Sequence, residues 1–429
     1  MNIAIAGYGV EGKSNYAYWN ALPDTHVTIV DEREIVDAPL DAAVISGPDA
    51  FSKLNGFDLV VRTAGLAPHK ITTDGKIWSA TNEFFEKCPA PIIGVTGSKG
   101  KGTTASLIAS ILEAASKKVW LVGNIGVAAL DILSQVQPED IVVYELSSFQ
   151  LWDIQKSPTV AVVLHIEPDH LDVHADFDEY IVAKGAIAAH QTTTDRVVYN
   201  ATNQWSEQIA RLSVGQRLPY PAAHTAHVQG ASFYYGDTEL CAVENLLLPG
   251  VHNQQNACAA ITAIWPWVQE GRVIAEGLRS FDGLPHRLKF VREVSGVKYY
   301  DDSIATTPGS AIAAIAAFPE PKVLILGGSY KGADFTELVE KVLGGNVKKV
   351  LLIGEEATRI SEIFNKAGYA AFEVCMEISF TEVVERAAQN AAAGDVVILS
   401  PACASFGQFK SYVDRGDQFI AAVEQLADL

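Results

Sequence analysis

The stretch Gly97-Ser98-Lys99-Gly100-Lys101-Gly102-Thr103-Thr104 constrains this chain more than any other. A short β-rich apolar run (Ile92, Ile93, Val95) precedes it, and an amphipathic run over residues 105–115 follows. Strand, glycine loop with lysine, helix: that order builds a cradle for nucleotide phosphates. Glycines let backbone N–H groups approach phosphate oxygens. The helix start adds the positive end of its dipole, and Lys101 adds a full charge. The strict phosphate-loop pattern has a glycine where Val95 stands and Ser or Thr where Gly102 stands. Thr103 or Thr104 is therefore left to supply the hydroxyl that faces Mg²⁺. A flexible basic surface loop is the plainer alternative, and the strand–loop–helix context speaks against it.

Length and composition bound the rest. At 429 residues the chain exceeds a single core and is expected to divide into about two to four domains. A formal charge of −19 argues against a nucleic-acid partner, because backbone phosphate binding needs clustered Lys and Arg. A few local basic groups still suffice for a small anion. Cys88, Cys241, Cys258, Cys375 and Cys403 are scattered and lack Cys-x-x-Cys spacing, the pattern of reduced thiols in a cytoplasm. The N-terminal run Met1-Asn2-Ile3-Ala4-Ile5-Ala6-Gly7 reads as a buried strand and not as a signal peptide. Residues 261–268 are interrupted by Pro266, so no membrane insertion is expected.

Apolar strand-like runs alternate with helix-like runs in three blocks. Residues 1–90 carry strands near 3–7, 27–31, 42–45 and 59–62. Residues 91–284 start at the phosphate loop and continue through 119–122, 141–145, 160–166 and 197–200. Residues 285–429 restart the rhythm at 297–301, 323–327, 350–354, 372–375 and 396–400. Such alternation predicts an α/β fold of three domains with mainly parallel sheets. The first would be Rossmann-like, the second a central P-loop-type domain, the third a C-terminal Rossmann-like α/β domain. Residues 216–248, with shorter alternating pieces, read as a small antiparallel patch within the middle domain.

Four polar stations follow the predicted strands. Gly7-Tyr8-Gly9-Val10-Glu11-Gly12 is a full Gly-x-Gly-x-x-Gly, and Asp31 ends the next strand 19 residues after Gly12, where dinucleotide folds keep a ribose-binding acid. The same glycines serve any tight strand–helix turn that holds a phosphate. Nicotinamide, another nucleotide and a purely structural turn all fit these glycines. Arg62-Thr63-Ala64-Gly65 follows another strand and suits the opposite wall of that site. In the middle block, Glu145 ends an apolar strand near the phosphate loop. A carboxylate there suits Mg²⁺ on ATP phosphates, and a helix cap is the structural alternative. His170 lies among carboxylates in His165-Ile166-Glu167-Pro168-Asp169-His170-Leu171-Asp172, where it either holds a second ion or caps the following segment. Lys184 sits in an apolar helical stretch, where lysines usually extend to solvent.

In the last block, Leu284-Pro285-His286-Arg287-Leu288 is followed by three polar stretches. These are Tyr300-Asp301-Asp302-Ser303-Ile304-Ala305-Thr306-Thr307, Gly327-Gly328-Ser329-Tyr330-Lys331 and Ser400-Pro401-Ala402-Cys403-Ala404-Ser405-Phe406. Each of the three follows a predicted strand, so their polar groups converge on one edge of one sheet. That edge suits a small charged substrate plus a nucleotide base or ribose.

These stations, in this order, resemble the Mur ligase family along essentially the whole chain. Glu145-Leu146-Ser147-Ser148-Phe149-Gln150-Leu151, Leu284-Pro285-His286-Arg287 and Ser400-Pro401-Ala402-Cys403-Ala404-Ser405 are most similar to its glutamate-adding branch. The resemblance implies an ATP-dependent ligase of peptidoglycan precursor synthesis. It would join glutamate to UDP-N-acetylmuramoyl-L-alanine through an acyl phosphate and release ADP and phosphate. D-Glutamate is the usual acceptor; L-glutamate, or a folylpolyglutamate-type ligation, is the alternative. The catalytic set implied is Lys101, Glu145, His170 and Lys184. Two Mg²⁺ sites would be held by Thr103, Glu145, His170 and Lys184, the last carbamylated on its amine. ATP would lie on residues 97–104, Asn253, Asn256, Arg287 and Asp302. The UDP precursor would lie on Gly9, Val10, Glu11, Gly12, Asp31, Glu32, Arg33, Thr63, Gly65 and Asn124. Glutamate would lie on Thr306, Lys331, Ser405, Phe406 and Tyr412. Ile304 stands where the family sentence has lysine, and Tyr412 where it usually has Phe. The resemblance further implies a cytoplasmic monomer with small-molecule substrates only.

Overall fold

The structure, a computed structural model, describes residues 1–124, 126–330 and 332–427. It divides into two compact units, Met1–Asn245 with Gln254–Phe281, and Leu246–Asn253 with Asp282–Leu429.

The first unit holds two parallel sheets. Strands β1 (Asn2–Ala6), β2 (His26–Asp31), β3 (Ala43–Ser46), β4 (Leu59–Arg62) and β5 (Lys76–Ser79) align in the order β3-β2-β1-β4-β5. That is the dinucleotide-fold order. Helix α1 (Val10–Asn20) returns from β1 to β2, and α2 (Ala80–Lys87) follows β5. Gly12 lies where an added Cβ would sit 2.1 Å from the Gly7 carbonyl, so helix and strand close only on glycine.

The second sheet orders β6 (Ile92–Thr96), β7 (Val119–Gly123), β8 (Ile141–Glu145), β9 (Val160–Val163), β10 (Arg196–Asn200) and β11 (Gln216–Tyr220) as β11-β10-β9-β6-β8-β7. Strands β6, β8 and β9 are buried along their whole length, the continuous apolar pattern of a parallel sheet covered on both faces. Around them run α3 (Lys101–Ala114), α4 (Ala129–Ile132), α5 (Ser148–Leu151), α6 (Phe177–Ala189), α7 (Gln204–Ala210), α8 (Val251–Ile264) and α9 (Gly271–Ser280). A three-stranded antiparallel sheet is made by β12 (Ala226–Gln229), β13 (Ser232–Tyr235) and β14 (Thr238–Ala242).

Two details correct the sequence reading. Residues 216–220 belong to the parallel sheet as its edge strand and not to the antiparallel patch. The exposed polar start of β11 and its Pro219 hide the strand, and a proline is tolerated there because the strand is at the edge. Strand β9 stops at Val163, because residues 164–167 turn their backbone to the phosphate loop: Leu164 N–H donates to Thr96 O and Ser98 N–H to His165 O, each at 2.9 Å.

Helix α3 packs on α9 through small residues. Ser110 Oγ donates to Gly277 O at 2.8 Å, and a Cβ on Gly277 would lie 2.4 Å from Ile111 Cα. Gly277→Ala is expected to lower unfolding free energy by about 1–2 kcal/mol, the overpacking outweighing the ~1 kcal/mol alanine gains in helix propensity. Urea denaturation checks it.

The second unit is built on a sheet ordered β15-β16-β20-β17-β18-β19. Its strands are β15 (Lys289–Val294), β16 (Val297–Asp301), β17 (Lys322–Gly327), β18 (Val347–Ile353), β19 (Phe372–Val374) and β20 (Val396–Leu399), parallel except for the β15–β16 pair. Helices α10 (Pro308–Ala316), α11 (Thr336–Gly344), α12 (Ala357–Lys366), α13 (Phe380–Gln389) and α14 (Tyr412–Glu424) cover it, with apolar cores on both faces. No helix among the described residues is long and apolar enough to cross a membrane.

Candidate active site

In the first unit the phosphate loop lies between β6 and α3. Gly100 caps α3 in the left-handed region (φ +85°), and a Cβ there would lie 2.6 Å from Asn256 Oδ1. The left-handed backbone calls for glycine, and the close approach brings Asn256 of α8 to the loop. Ser98 staples the loop to its neighbours: its Oγ lies 2.8 Å from Tyr180 Oη and donates to Glu167 O at 2.8 Å. Lys99 is exposed and pairs with Glu167 at 2.6 Å. The His165 hydrogen bond, with help from Lys99, holds the Glu167 carboxyl down at about 2.

Lys101 and Lys184 converge on one carbonyl. Lys101 Nζ donates to Gly97 O at 3.0 Å and Ser98 O at 2.9 Å. Lys184 Nζ donates to Gly97 O at 2.9 Å and Thr96 Oγ1 at 3.3 Å. Lys184 does not reach solvent: it is 1% exposed on α6, with its amine over the Tyr180 ring at 4.7 Å. Burial first, and repulsion from Lys101 second, push its pKa well below the usual lysine value. The buried amine therefore favours its neutral form.

Glu145 is buried at the end of β8, the strand beside β6, in register with Val95 two residues before Gly97. The asparagine of the neighbouring turn, Asn124, is exposed, and its N–H reaches Glu145 O at 3.4 Å. The next turn opens α5 with a capping box between Ser147 and Gln150. His170 is half exposed at φ +54°, 3.7 Å from Asp169 and edge-on to Phe149 with ring centroids 5.0 Å apart. His174, which the sequence reading did not single out, is buried. It stacks on Phe149, and its Nε2 lies 2.9 Å from Ser148 Oγ.

Thr103 and Thr104 are both buried, and Thr104 Oγ1 has no hydrogen-bond partner. Among the described residues no three His, Cys, Asp or Glu side chains gather closely enough to hold a metal. A carboxylate on Lys184 would change that donor set, adding hard oxygen to Glu145 and the threonine hydroxyls. The residues fit a hard divalent cation in that form.

In the first sheet Gly9 is exposed, and nothing lies within 4 Å of an added Cβ, so the turn stays open for a ligand's close approach. Val10, Glu32, Arg33 and Gly65 are exposed beside it, and Thr63 is partly buried. Asp31 accepts from Tyr8 N–H at 2.8 Å and Arg33 N–H at 2.9 Å. Glu11 accepts from Ala64 N–H at 2.8 Å. Both acids thus shape the turn through backbone donors.

The second unit gathers the remaining stations at one sheet edge. His286 Nδ1 lies 2.7 Å from Asp301 Oδ2, and Gly416 leaves room for the ring, since a Cβ there would fall 2.1 Å from Nδ1. Asp302 accepts from Leu288 N–H at 3.1 Å and Ser400 Oγ at 2.7 Å. Arg415, fully buried, was not legible in the sequence. It donates to Ser303 O and Oγ, Cys403 O and Ala404 O, tying the 302–306 loop to the 402–406 loop. Thr306 is partly buried and Ser405 buried on those loops; Phe406, Tyr412 and Arg287 are exposed. Ile304 is partly buried, its N–H bonded to His286 O. Asn253 Nδ2 donates to Pro249 O at 2.7 Å. Lys331 lies outside the described residues.

Burial pushes the Asp302 carboxyl up to about 7 from an ordinary 3.8, against the Ser400 hydrogen bond and the nearby Arg287. The native group keeps a proton that the unfolded chain has released. Its contribution is therefore neutral below about pH 4 and destabilising as pH rises to about 7. Asp302→Asn is expected to flatten the loss of stability between about pH 4 and pH 7, read by urea unfolding at each.

Comparison with known proteins follows the same lines. Residues 95–264 match the Mur ligase middle domain, and residues 286–403 match the Mur ligase glutamate ligase domain. The UDP-N-acetylmuramoylalanine–D-glutamate ligase of Symbiobacterium thermophilum is 34% identical, over 99% of this chain and 98% of its own length. The ligase of that name from Ruminiclostridium cellulolyticum is 37% identical, over 89% of this chain and 85% of its own. Among solved structures, the UDP-N-acetylmuramate-alanine ligase of Thermotoga maritima aligns at TM-score 0.63 and 17% identity, covering 99% of each chain. The MurF ligase of the same organism, solved with ADP, aligns at 0.59 and 18%, over 99% and 93%. These two establish the shared fold. With the two domain matches and relatives of that name spanning nearly its whole length, the chain belongs to the Mur ligase family.

Proposed function

We propose that this chain is an ATP-dependent ligase that joins D-glutamate to the alanine carboxylate of UDP-N-acetylmuramoyl-L-alanine. The observation that carries the reading is the convergence of Lys101 and Lys184 on the Gly97 carbonyl, with Glu145 on the neighbouring strand. A triphosphate and a carboxylate, both anionic, need the Lys101 charge and the N–H donors of the loop, together with the metal that Glu145 and a carbamylated Lys184 would hold, before they can meet.

The roles follow from position. Residues 97–104 cradle the ATP phosphates, and Lys101 leaves its loop carbonyls to follow them. Asn253, Asn256, Arg287 and Asp302 serve the nucleoside. The first block, about residues 1–90, holds the UDP of the precursor on the open turn at Gly9 and the loop at Thr63 and Gly65. Residues 91–284 form the ATP block, and residues 285–429 hold the incoming amino acid on Thr306, Ser405, Phe406, Tyr412 and Lys331. A cytoplasmic location, supported by five free thiols, and a monomeric state belong to the same reading.

Lys184 in its neutral form can add carbon dioxide: an N–C bond forms, the nitrogen gives up a proton, and an anionic carbamate replaces the neutral amine. Glu145, His170, that carbamate and a threonine hydroxyl of the loop are the residues that would hold Mg²⁺. When bound, the ion screens the phosphate charges and polarises the transferring group. The alanine carboxylate oxygen then attacks the γ-phosphorus, and ADP leaves. The glutamate amine, having lost its proton, attacks the acyl carbon. Collapse of the tetrahedral intermediate expels phosphate and leaves the amide. Precursor labelled with ¹⁸O in its alanine carboxylate tests this order. One label is expected to appear in the released phosphate for each amide formed, and unlabelled phosphate would rule out the acyl phosphate.

A further inference from the structure

Arg62 ends β4 with its side chain fully buried, and no step above uses it. Its guanidinium faces two ways. On one side Nη1 donates to Leu66 O at 3.3 Å, Thr63 O at 3.4 Å and Ala64 O at 3.5 Å, the loop placed above against the UDP precursor. On the other, Nε donates to Asp153 Oδ2 at 2.7 Å, and Nη2 donates to Phe149 O at 2.9 Å and to Asp153 Oδ1. Residues 149–153 form the turn just beyond Glu145, and the Phe149 ring leans on His170. Glu11 closes the first side by accepting from Ala64 N–H.

We propose that Arg62 is a positioning residue that sets the register between the precursor's nucleotide wall and the place where its carboxylate meets the phosphate. The planar fork of arginine can bond in both directions at once; the compact ammonium of lysine cannot span them equally. The precursor must reach from the first sheet's edge to the second's, whereas none of the residues proposed for ATP lies on the first sheet. Loss of the link therefore falls on the precursor and not on ATP. This inference rests on the ligase reading.

The test uses the full chain carrying Arg62→Met, Arg62→Lys or Asp153→Asn, with ligand dissociation constants from calorimetry beside turnover. For Arg62→Met the precursor constant is expected to rise at least tenfold and kcat to fall. The ATP constant should stay within twofold, and Arg62→Lys should recover part of both losses. Asp153→Asn, which keeps a hydrogen-bonding group but removes the charge, is expected to shift the precursor constant the same way by a smaller factor. It carries the test if Arg62→Met does not fold. Equal losses for both ligands, or none, would reduce the pair to a structural contact and overturn the proposal. An inactive wild-type chain would instead overturn the ligase reading.

Discussion

Lys184→Ala is expected to lower turnover by ~10³-fold or more while leaving the fold intact. The side chain is buried beneath Tyr180, bonded to Thr96 Oγ1 and Gly97 O, and pushed toward the neutral amine by burial and by Lys101. In the proposed mechanism, a neutral amine beside Glu145 and the phosphate loop is the group that carbon dioxide would convert to a carboxylate. Alanine removes that possibility and leaves a space where a small acid fits. Formate, acetate or propionate added to the variant should therefore restore part of the rate. Arginine at 184, cationic and unable to be carbamylated, should give no such rescue. Activity within twofold of wild type, measured as phosphate release, would remove the carbamate from the mechanism.

Lys101→Met is expected to cost on the order of 10³-fold in kcat, with no rescue by small acids. Lys101 donates to the Gly97 and Ser98 carbonyls, which keeps its charge at the loop. Methionine keeps the length of the stem and removes the charge, so the fold of α3, whose buried face is Leu107, Ile108, Ile111 and Leu112, should persist. Circular dichroism checks the fold and steady-state kinetics the rate. The contrast in rescue separates the two lysines, which share a carbonyl but do different work.

Legibility in the sequence depended on whether a signal was local. Loop 97–104 was readable because glycine spacing, Lys101 and the flanking runs all lie within residues 92–115, and Gly-x-Gly-x-x-Gly at residues 7–12 for the same reason. Glu145 was readable as a lone acid ending an apolar strand. Lys184 was ambiguous: periodicity placed it on an apolar helix, where a lysine can extend or stay buried, and only the contact with Thr96, 88 residues away, decides. Arg62 and Asp153 are 91 residues apart, and Arg415 reaches Ser303 across 112. Side-chain pairs of that separation leave no periodic trace. Strand β11 was misplaced because an exposed edge strand carries polar residues and proline, which alternation rules read as a turn.

The most direct measurement is ADP and phosphate release from ATP and Mg²⁺ with UDP-N-acetylmuramoyl-L-alanine, comparing D-glutamate with L-glutamate. Release that depends on the precursor and D-glutamate, matched by one new amide per phosphate, is the expected result. It would make Ile304 a tolerated variation of the acceptor site. Turnover with L-glutamate alone, or none with either, would contradict the assignment.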